Sequence, residues 1–124
     1  MSSCSGLVLL VEDDDDLREV EAGVLERAGF RVRVAREGRE ALDLVADEMP
    51  CVIFLDMRMP GMDGWAFVRE FRARHHNRAA LVVVTAAANA EARAAEVAAD
   101  EVLGKPFAAG DFIRVARKHS SCGV

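Results

Sequence analysis

Short apolar runs alternate with stretches of helical periodicity along the chain. The first run, Leu7–Val11, is continuously apolar, which is typical of a strand buried on both faces of a parallel sheet. Apolar side chains then recur at helical spacing, at Leu17, Val20, Val24, Leu25 and Ala28. Asp14 or Asp15 begins that helix, and Gly29 predicts its end. A strand followed by a helix is therefore the first predicted unit.

The second and third units have the same order of strand and helix. A short alternating strand around 32–34 precedes a helix that begins near Glu37. A fully apolar run at 51–55 ends on Asp56, and a loop rich in proline and glycine separates it from an apolar helix at 65–71. The pattern thus predicts strand, helix, strand and helix after the first unit.

The last two units differ in how firmly their helices are anchored. A fourth strand at 80–84 ends on Thr85, and the segment 86–99 after it is dominated by alanine. Helix propensity is high there, but few large apolar side chains face the core, so we expect a weakly anchored helix. A short fifth strand leads to Lys105, and apolar positions over 107–116 predict the last helix.

Five alternating units define the fold class. Parallel neighbours require crossovers through helices, so the prediction is an α/β fold, a five-stranded parallel sheet with helices on both faces. A chain of 124 residues favours a single domain over 1–124, with its core at about 6–119. In such sheets, polar chemistry collects beyond the carboxyl ends of the strands.

Polar side chains stand at the ends of four predicted strands. Acidic residues at 12–16 follow the first strand, Asp56 ends the third, Thr85 ends the fourth and Lys105 follows the fifth. An acidic run before a helix is often only a cap, with Asp14 the favoured one. A carboxylate directly after five apolar residues, however, loses its contact with water, and that cost in free energy is unexplained unless the group serves metal or covalent chemistry. Clustered carboxylates favour a hard cation such as Mg²⁺, so the strand ends predict a metal site for phosphoryl chemistry.

Charge and cysteine content exclude several other classes of site. With 16 basic and 21 acidic side chains the net charge is −5, and no clustered basic face is present to bind nucleic acid. No apolar run is long enough to span a membrane and the first residues do not form a signal peptide, so a cytoplasmic location is expected. Cys4, Cys51 and Cys122 lack zinc-site spacing and are expected to be reduced.

Four stretches of the sequence resemble the receiver domain of two-component response regulators. They are LVEDDDDLRE at 10–19, VIFLDMRMPGMDG at 52–64, VVVTA at 82–86 and GKPF at 104–107. The end of the second stretch is highly specific, and the other three gain weight from their order and spacing. The resemblance implies a (βα)5 flavodoxin-like receiver fold with strand order 2-1-3-4-5, acting as a single-domain phosphorylation switch.

The resemblance also implies a magnesium site and a phosphoacceptor. Asp56 matches the residue that takes a phosphoryl group from the phosphohistidine of a histidine kinase. Glu12 and Asp13 match the acidic pair that holds Mg²⁺ together with Asp56 and the backbone carbonyl of Arg58. Mn²⁺ is expected to substitute for Mg²⁺ at this site.

Thr85 and Lys105 complete the implied catalytic set around Asp56. The threonine hydroxyl matches the group that bonds to a phosphoryl oxygen, and the lysine matches the cation that pairs with the acceptor or its phosphate. Because hydrolysis uses the same electrophilic site, we expect the chain to catalyse its own phosphorylation and dephosphorylation. Implied partners are a sensor histidine kinase or histidine phosphotransfer protein and a downstream protein target. A monomer is expected at rest, with dimerisation on phosphorylation.

The chain departs from the family pattern near the fourth helix. Val102 stands where the family usually has Tyr or Phe, and valine is too short and too stiff to repeat the inward movement of that aromatic side chain. Ala98 stands where the usual motif has glycine. We therefore predict that phosphorylation changes the mobility of this helix rather than rotating one buried aromatic. Arg58 and Ala87 match positions that modulate hydrolysis, and a guanidinium at 58 predicts slow self-dephosphorylation.

Two other functions stay open from the sequence. One is a receiver-like interaction module in which phosphorylation is uncoupled from output, and retention of the site residues argues against it. The other is a small phosphatase of the haloacid dehalogenase type, which usually carries a second aspartate where this chain has Arg58. The sequence also leaves open whether Trp65 and Phe67 lie in the core, the position favoured for Phe67, or contact a partner.

Overall fold

Five strands and five helices alternate in the computed structural model, which describes residues 6–57, 63–75, 79–86, 90–105 and 108–120. The elements are β1 (Leu7–Val11), α1 (Asp15–Arg27), β2 (Arg31–Ala35), α2 (Gly38–Asp47), β3 (Val52–Asp56), α3 (Gly64–His75), β4 (Ala80–Ala86), α4 (Ala90–Glu96), β5 (Glu101–Lys105) and α5 (Ala109–Ser120). This is the alternation that the apolar runs predicted. Within those ranges, no helix has the length and apolar character needed to cross a membrane.

The strands form one parallel sheet in the order β2-β1-β3-β4-β5. This order confirms the predicted 2-1-3-4-5 topology. Strand order reverses between β1 and β3, and open parallel sheets carry their sites beyond the carboxyl ends at such a point. Asp56 lies in register with Val84, and Lys105 lies in register with Ala86, so β4 and β5 end together, two residues beyond the level at which β3 ends.

The core has two apolar layers, one on each face of the sheet. Every residue of β3 is buried, and alternate side chains point to opposite faces. On one face Phe54 packs edge-on against Phe112 of α5, with ring centroids 4.5 Å apart. On the other, Leu55 belongs to the layer that contains Phe67 and Phe71 of α3. The central strand is thus fixed from both sides, which holds its last residue in place.

Helix α1 begins and ends as predicted but buries an unexpected side chain. Asp14 is its N-cap, accepting a hydrogen bond from the Leu17 amide at 3.0 Å, and Gly29 follows its end with φ +102°. Val20, one of the apolar side chains at helical spacing, is 61% exposed, whereas the neighbouring Glu21 is only 5% exposed. Both positions fit a helical stripe. The rotation of the helix about its own axis decides which of them faces the sheet, and periodicity alone does not fix that rotation.

Cys51 lies at the amino-terminal edge of the sheet, directly before β3. Its amide donates to the Leu7 carbonyl at 2.9 Å, and its carbonyl accepts from Ala80 at 3.0 Å. The sulfur of Cys51 belongs to a disulfide bond whose other half lies outside the described residues. The expectation that the cysteines are reduced is therefore wrong for Cys51, because the spacing of cysteines in a sequence does not show which of them the fold brings together.

Candidate functional site

Four strands place polar side chains at the carboxyl edge of the sheet. Glu12 and Asp13 follow β1, Asp56 ends β3, Thr85 lies near the end of β4 and Lys105 ends β5. The Glu12 amide donates to the Ala35 carbonyl at 3.0 Å, which continues the pairing of β1 and β2 into the site. Glu12, Asp56 and Thr85 are buried and Asp13 is exposed. The described residues of the predicted site therefore gather at one edge, positioned by the ends of four strands.

Lys105 joins the two buried carboxylates of the site. Its Nζ lies 3.0 Å from Glu12 Oε1 and 3.7 Å from Asp56 Oδ2. The lysine itself is partly buried, so water screens these charges less than it does on the surface. A single ammonium group thus partly neutralises carboxylates delivered by two neighbouring strands.

Burial and charge shift the proton affinities of these groups. Burial raises the pKa of Glu12, the hydrogen bond from Lys105 opposes that rise, and the neighbouring Asp56 carboxylate adds to it. Burial acts to lower the pKa of Lys105, but its hydrogen bond to Glu12 and the charges of Asp56 and Glu12 raise it overall. Lys105 is therefore protonated at neutral pH, as a group that offsets phosphoryl charge must be.

Three carboxylates at this edge meet the requirements of a metal site. One oxygen each from Glu12, Asp13 and Asp56 lies within 4.8 Å of the others. Hard divalent cations bind oxygen donors of this kind, and the exposed Asp13 leaves one side of the cluster open to solvent. The donor set therefore fits a divalent cation. Arg58, whose carbonyl is the fourth predicted ligand, lies outside the described residues.

Arg18 is a site residue that sequence reasoning missed. Its Nη1 donates to the Glu12 carbonyl at 2.9 Å, and its Nη2 forms an ion pair with Asp15. The amide of Asp14 binds the Oε2 atom of Glu12 at 3.3 Å, so backbone and side chain of Glu12 are both held. One signal was available in the sequence, because a cation in the first turn of a helix opposes the helix dipole and needs a local reason.

Thr85 and Val102 mark the side of the site nearest to α4. Thr85 is buried and lies in register with Gly104, one residue before Lys105. Val102 is partly buried and packs against the core layer that α2 and α3 cover. A short aliphatic side chain thus occupies the position where the resemblance leads one to expect an aromatic ring. Arg58 and Ala87, the predicted modulators of hydrolysis, lie outside the described residues and stay predictions.

Glu21 is a second residue that the sequence did not reveal. Its Oε2 atom is buried and has no hydrogen-bond partner in the described structure. Burial raises the pKa of Glu21 to about 7, and the negative charge of Glu12 contributes to that rise. A buried carboxylate with an unsatisfied oxygen therefore lies in α1, within the electrostatic reach of the site.

Phe67 and Trp65 take different positions in α3. Phe67 is fully buried, as the favoured prediction had it. Trp65 is partly buried against the same core layer, and its indole Nε1 donates to Glu96 Oε1 at 2.9 Å. Trp65 is therefore neither a pure core residue nor a free surface residue, because it bridges α3 and α4.

Sequence comparisons relate the chain to response regulators. The sequence model of the response regulator receiver domain matches residues 8–117. The chain is 36% identical over 108 residues to the response regulator MprA of Mycolicibacterium vanbaalenii, covering 86% of this chain and 46% of that protein. It is 33% identical over 118 residues to the transcriptional regulatory protein GltR of Pseudomonas aeruginosa, covering 91% and 48%. The chain thus spans less than half the length of these two curated relatives.

Solved structures agree with the sequence comparison. The receiver domain of NtrX from Brucella abortus superimposes with a TM-score of 0.83 at 30% identity, over 92% of this chain and 98% of that one. The chemotaxis protein CheY4 of Vibrio cholerae gives a TM-score of 0.82 at 28% identity, over 91% and 97%. Both superpositions cover more than nine-tenths of this chain. The chain therefore belongs to the response regulator receiver domain family.

Proposed function

We propose that this chain is a phosphorylation-controlled switch in which Asp56 accepts a phosphoryl group from a phosphohistidine. The donor is a sensor histidine kinase or a histidine phosphotransfer protein. The observation that carries the proposal is the position of Lys105, whose Nζ lies 3.0 Å from Glu12 and 3.7 Å from Asp56 beside an open acidic cluster. A buried nucleophilic carboxylate, a cation and oxygen donors for a metal are the parts that phosphoryl transfer needs.

The transfer forms one bond and breaks another at phosphorus. A carboxylate oxygen of Asp56 attacks, the P–O bond forms and the P–N bond breaks, and the imidazole nitrogen keeps the electron pair. Lys105 offsets negative charge on the phosphoryl oxygens, and the hydroxyl of Thr85 donates a hydrogen bond to one of them. Water later attacks the same phosphorus, the P–O bond to Asp56 breaks with its electron pair on the carboxylate, and inorganic phosphate leaves. The domain thus resets itself without acting on external substrates.

The acidic cluster would hold Mg²⁺, with Mn²⁺ as a substitute. Glu12, Asp13 and Asp56 supply carboxylate oxygens, and the Arg58 carbonyl is the remaining protein ligand that we propose. When bound, the cation supplies positive charge against the phosphoryl oxygens and relieves repulsion among the carboxylates. Arg18 contributes by fixing the backbone of Glu12 through its 2.9 Å hydrogen bond.

Output goes to a downstream protein through contacts of this receiver domain, which we propose to be a monomer at rest and a dimer when phosphorylated. The net charge of −5 argues against direct contact with nucleic acid. Because a histidine kinase draws its phosphoryl group from ATP, we place the exchange in the cytoplasm. Retention of all the described site residues at one edge of the sheet favours a working switch over an uncoupled interaction module.

Intact mass spectrometry with acetyl phosphate and Mg²⁺ tests the proposal. We expect one phosphoryl adduct on the native chain, sensitive to hydroxylamine as an acyl phosphate is, and none after chelation of the metal. Asp56→Asn should abolish the adduct, whereas Asp43→Asn, an exposed aspartate of α2, should leave it unchanged. An undiminished adduct on Asp56→Asn, or no adduct on native protein that is folded by circular dichroism, would overturn the proposal.

A further inference from the structure

Two side chains of α3 bind the carboxyl end of α4. The indole Nε1 of Trp65 donates to Glu96 Oε1 at 2.9 Å. The guanidinium of Arg72 donates to the Val97 carbonyl and, at 2.9 Å, to the Ala98 carbonyl. Trp65 and Arg72 lie two turns apart on α3, at about 3.6 residues per turn, and so on the same face of the helix. We call these hydrogen bonds from Trp65 and Arg72 the α3–α4 clasp.

The clasp holds a helix whose described side chains place little apolar bulk in the core. Helix α4 spans only Ala90–Glu96, and Val97, just after it, is the large apolar side chain that it sends into the core. Ala98 then adopts φ +51°, a left-handed conformation that is unfavourable for a residue with a Cβ atom. Arg72 binds the carbonyl of this residue. The end of α4 therefore keeps a strained backbone beside tertiary hydrogen bonds that hold it in place.

The other end of α3 lies against the phosphoacceptor strand. A Cβ atom on Gly64 would lie 2.8 Å from the Cα of Met57, so only glycine permits this close approach. The Gly64 amide also points to the Met57 carbonyl at 3.4 Å. Met57 is fully buried and follows Asp56 directly in the chain. A displacement at Asp56 is thus passed by Met57 to Gly64, the first residue of α3, and Trp65 follows Gly64 directly.

We propose that the α3–α4 clasp transmits phosphorylation of Asp56 to α4. The proposal rests on the phosphorylation of Asp56 proposed above. Phosphorylation adds charge and bulk beside Met57, the start of α3 shifts, and the bonds of Trp65 and Arg72 to the end of α4 open. The strain at Ala98 favours this release. Val102 is too short to act as an aromatic switch, so in this chain α3 takes the place of that ring.

The single tryptophan of the chain makes the clasp measurable. On adding beryllofluoride and Mg²⁺ to the native chain, we expect the emission of Trp65 to change and amide exchange across 90–98 to speed up several-fold. Trp65→Phe keeps a ring but loses the N–H donor, and Glu96→Ala loses the acceptor. Both variants should show the faster exchange before beryllofluoride is added. Glu96→Gln keeps an acceptor oxygen and should behave like the native chain.

Intact mass after acetyl phosphate and Mg²⁺, measured on the same protein preparations without beryllofluoride, separates this proposal from the one on which it rests. If the native chain gains an adduct but the exchange of 90–98 does not change, the clasp proposal is wrong and the switch chemistry stands. The same holds if Trp65→Phe and Glu96→Ala keep the native response in full. If the folded native chain gains no adduct, the proposed function fails and the clasp proposal falls with it.

Discussion

The ends of α1 and α4 close with the same backbone pattern but with different residues. In each helix, two amides beyond the last turn return to carbonyls within it, at 3.0 and 3.1 Å in α1 and at 3.2 and 2.9 Å in α4. The left-handed position of this motif is Gly29 in α1, with φ +102°, and Ala98 in α4, with φ +51°. Glycine takes such a conformation freely and alanine does not. Local sequence therefore ends α1, whereas the end of α4 depends on tertiary contacts.

The two helices also differ in what attaches them to the sheet. Leu25 of α1 is fully buried, in the core layer that includes Phe54 and Phe112. Among the described side chains at α4, Val97 is buried in the core, Ala94 packs against it in part, and polar contacts from α3 hold the carboxyl end. Apolar burial is insensitive to direction, but hydrogen bonds between side chains and carbonyls break over a short distance. A helix of the second kind is better suited to moving when the site changes.

Matched truncations of the two anchors should give the largest difference. Leu25→Ala leaves a cavity in a well-packed layer and should lower the free energy of unfolding by about 2–5 kcal/mol. Val97→Ala removes less apolar volume near a helix end, and we expect a cost of about 1–2 kcal/mol. Urea denaturation followed by circular dichroism measures both. Equal costs would show that α4 is anchored by its core contact as firmly as α1 is.

Glu21 is a weakness within the firmly anchored helix, and its effect depends on pH. The pKa of Glu21 is raised in the folded state from 4.5 to about 7, chiefly by burial. Below pH 4.5 both folded and unfolded states hold the proton, so the carboxyl adds no penalty. Between 4.5 and about 7 unfolding releases a proton, and stability falls as pH rises. Above about 7 the penalty is complete.

Replacing Glu21 should therefore stabilise the protein most at alkaline pH. We expect Glu21→Leu to raise the free energy of unfolding at pH 8 by about 2 kcal/mol, and by much less at pH 5. Urea titrations in the presence of a chelator keep metal binding out of the comparison. Glu19→Leu, at an exposed position of the same helix, is the control and should show no such dependence on pH. A Glu21→Leu gain that is equal at both pH values would contradict the buried, titrating carboxylate.

The sequence predicted the sheet and the strand ends because both depend on local patterns. Continuous apolar runs marked β1 and β3, and parallel strands bring their carboxyl ends together, so the proximity of Glu12, Asp56 and Lys105 followed from topology. Capping by Asp14 and termination at Gly29 followed from short-range hydrogen bonding and backbone conformation. These features need no knowledge of how the helices are rotated.

What the sequence did not predict depends on distant packing. Neither Val20 nor Glu21 disrupts a helical stripe, and only the rotation of α1 on the sheet decides that the carboxylate is buried. The bond from Trp65 to Glu96 joins residues 31 positions apart, and no local pattern connects them. The disulfide of Cys51 likewise depends on the tertiary fold, because the spacing of cysteines in the sequence does not show which of them pair. Tertiary contacts of these kinds join residues far apart in the chain, and no local sequence pattern encodes them.

Exchanging glycine and alanine at the left-handed positions, Gly29 in α1 and Ala98 in α4, also tests the comparison, with smaller expected changes in stability. A Cβ atom at Gly29 would meet nothing within 4 Å, so the cost of Gly29→Ala is one of backbone conformation rather than collision. We expect it to lower the free energy of unfolding by about 1–2 kcal/mol. Urea denaturation measures this loss, and a value near zero would mean that the left-handed position at the end of α1 does not need glycine.

Ala98→Gly should have the opposite sign and a smaller size. The substitution relieves the left-handed strain at the end of α4, but glycine also raises the conformational entropy of the unfolded chain, which costs about 0.4–1 kcal/mol of stability. The net gain in stability should therefore be below about 1 kcal/mol. Since strain at Ala98 favours opening of the clasp, its relief should slow amide exchange across 90–98 and weaken the response to beryllofluoride, while phosphorylation of Asp56 is unchanged. A loss of stability, or an undiminished response, would show that the strain at Ala98 plays no part in moving α4.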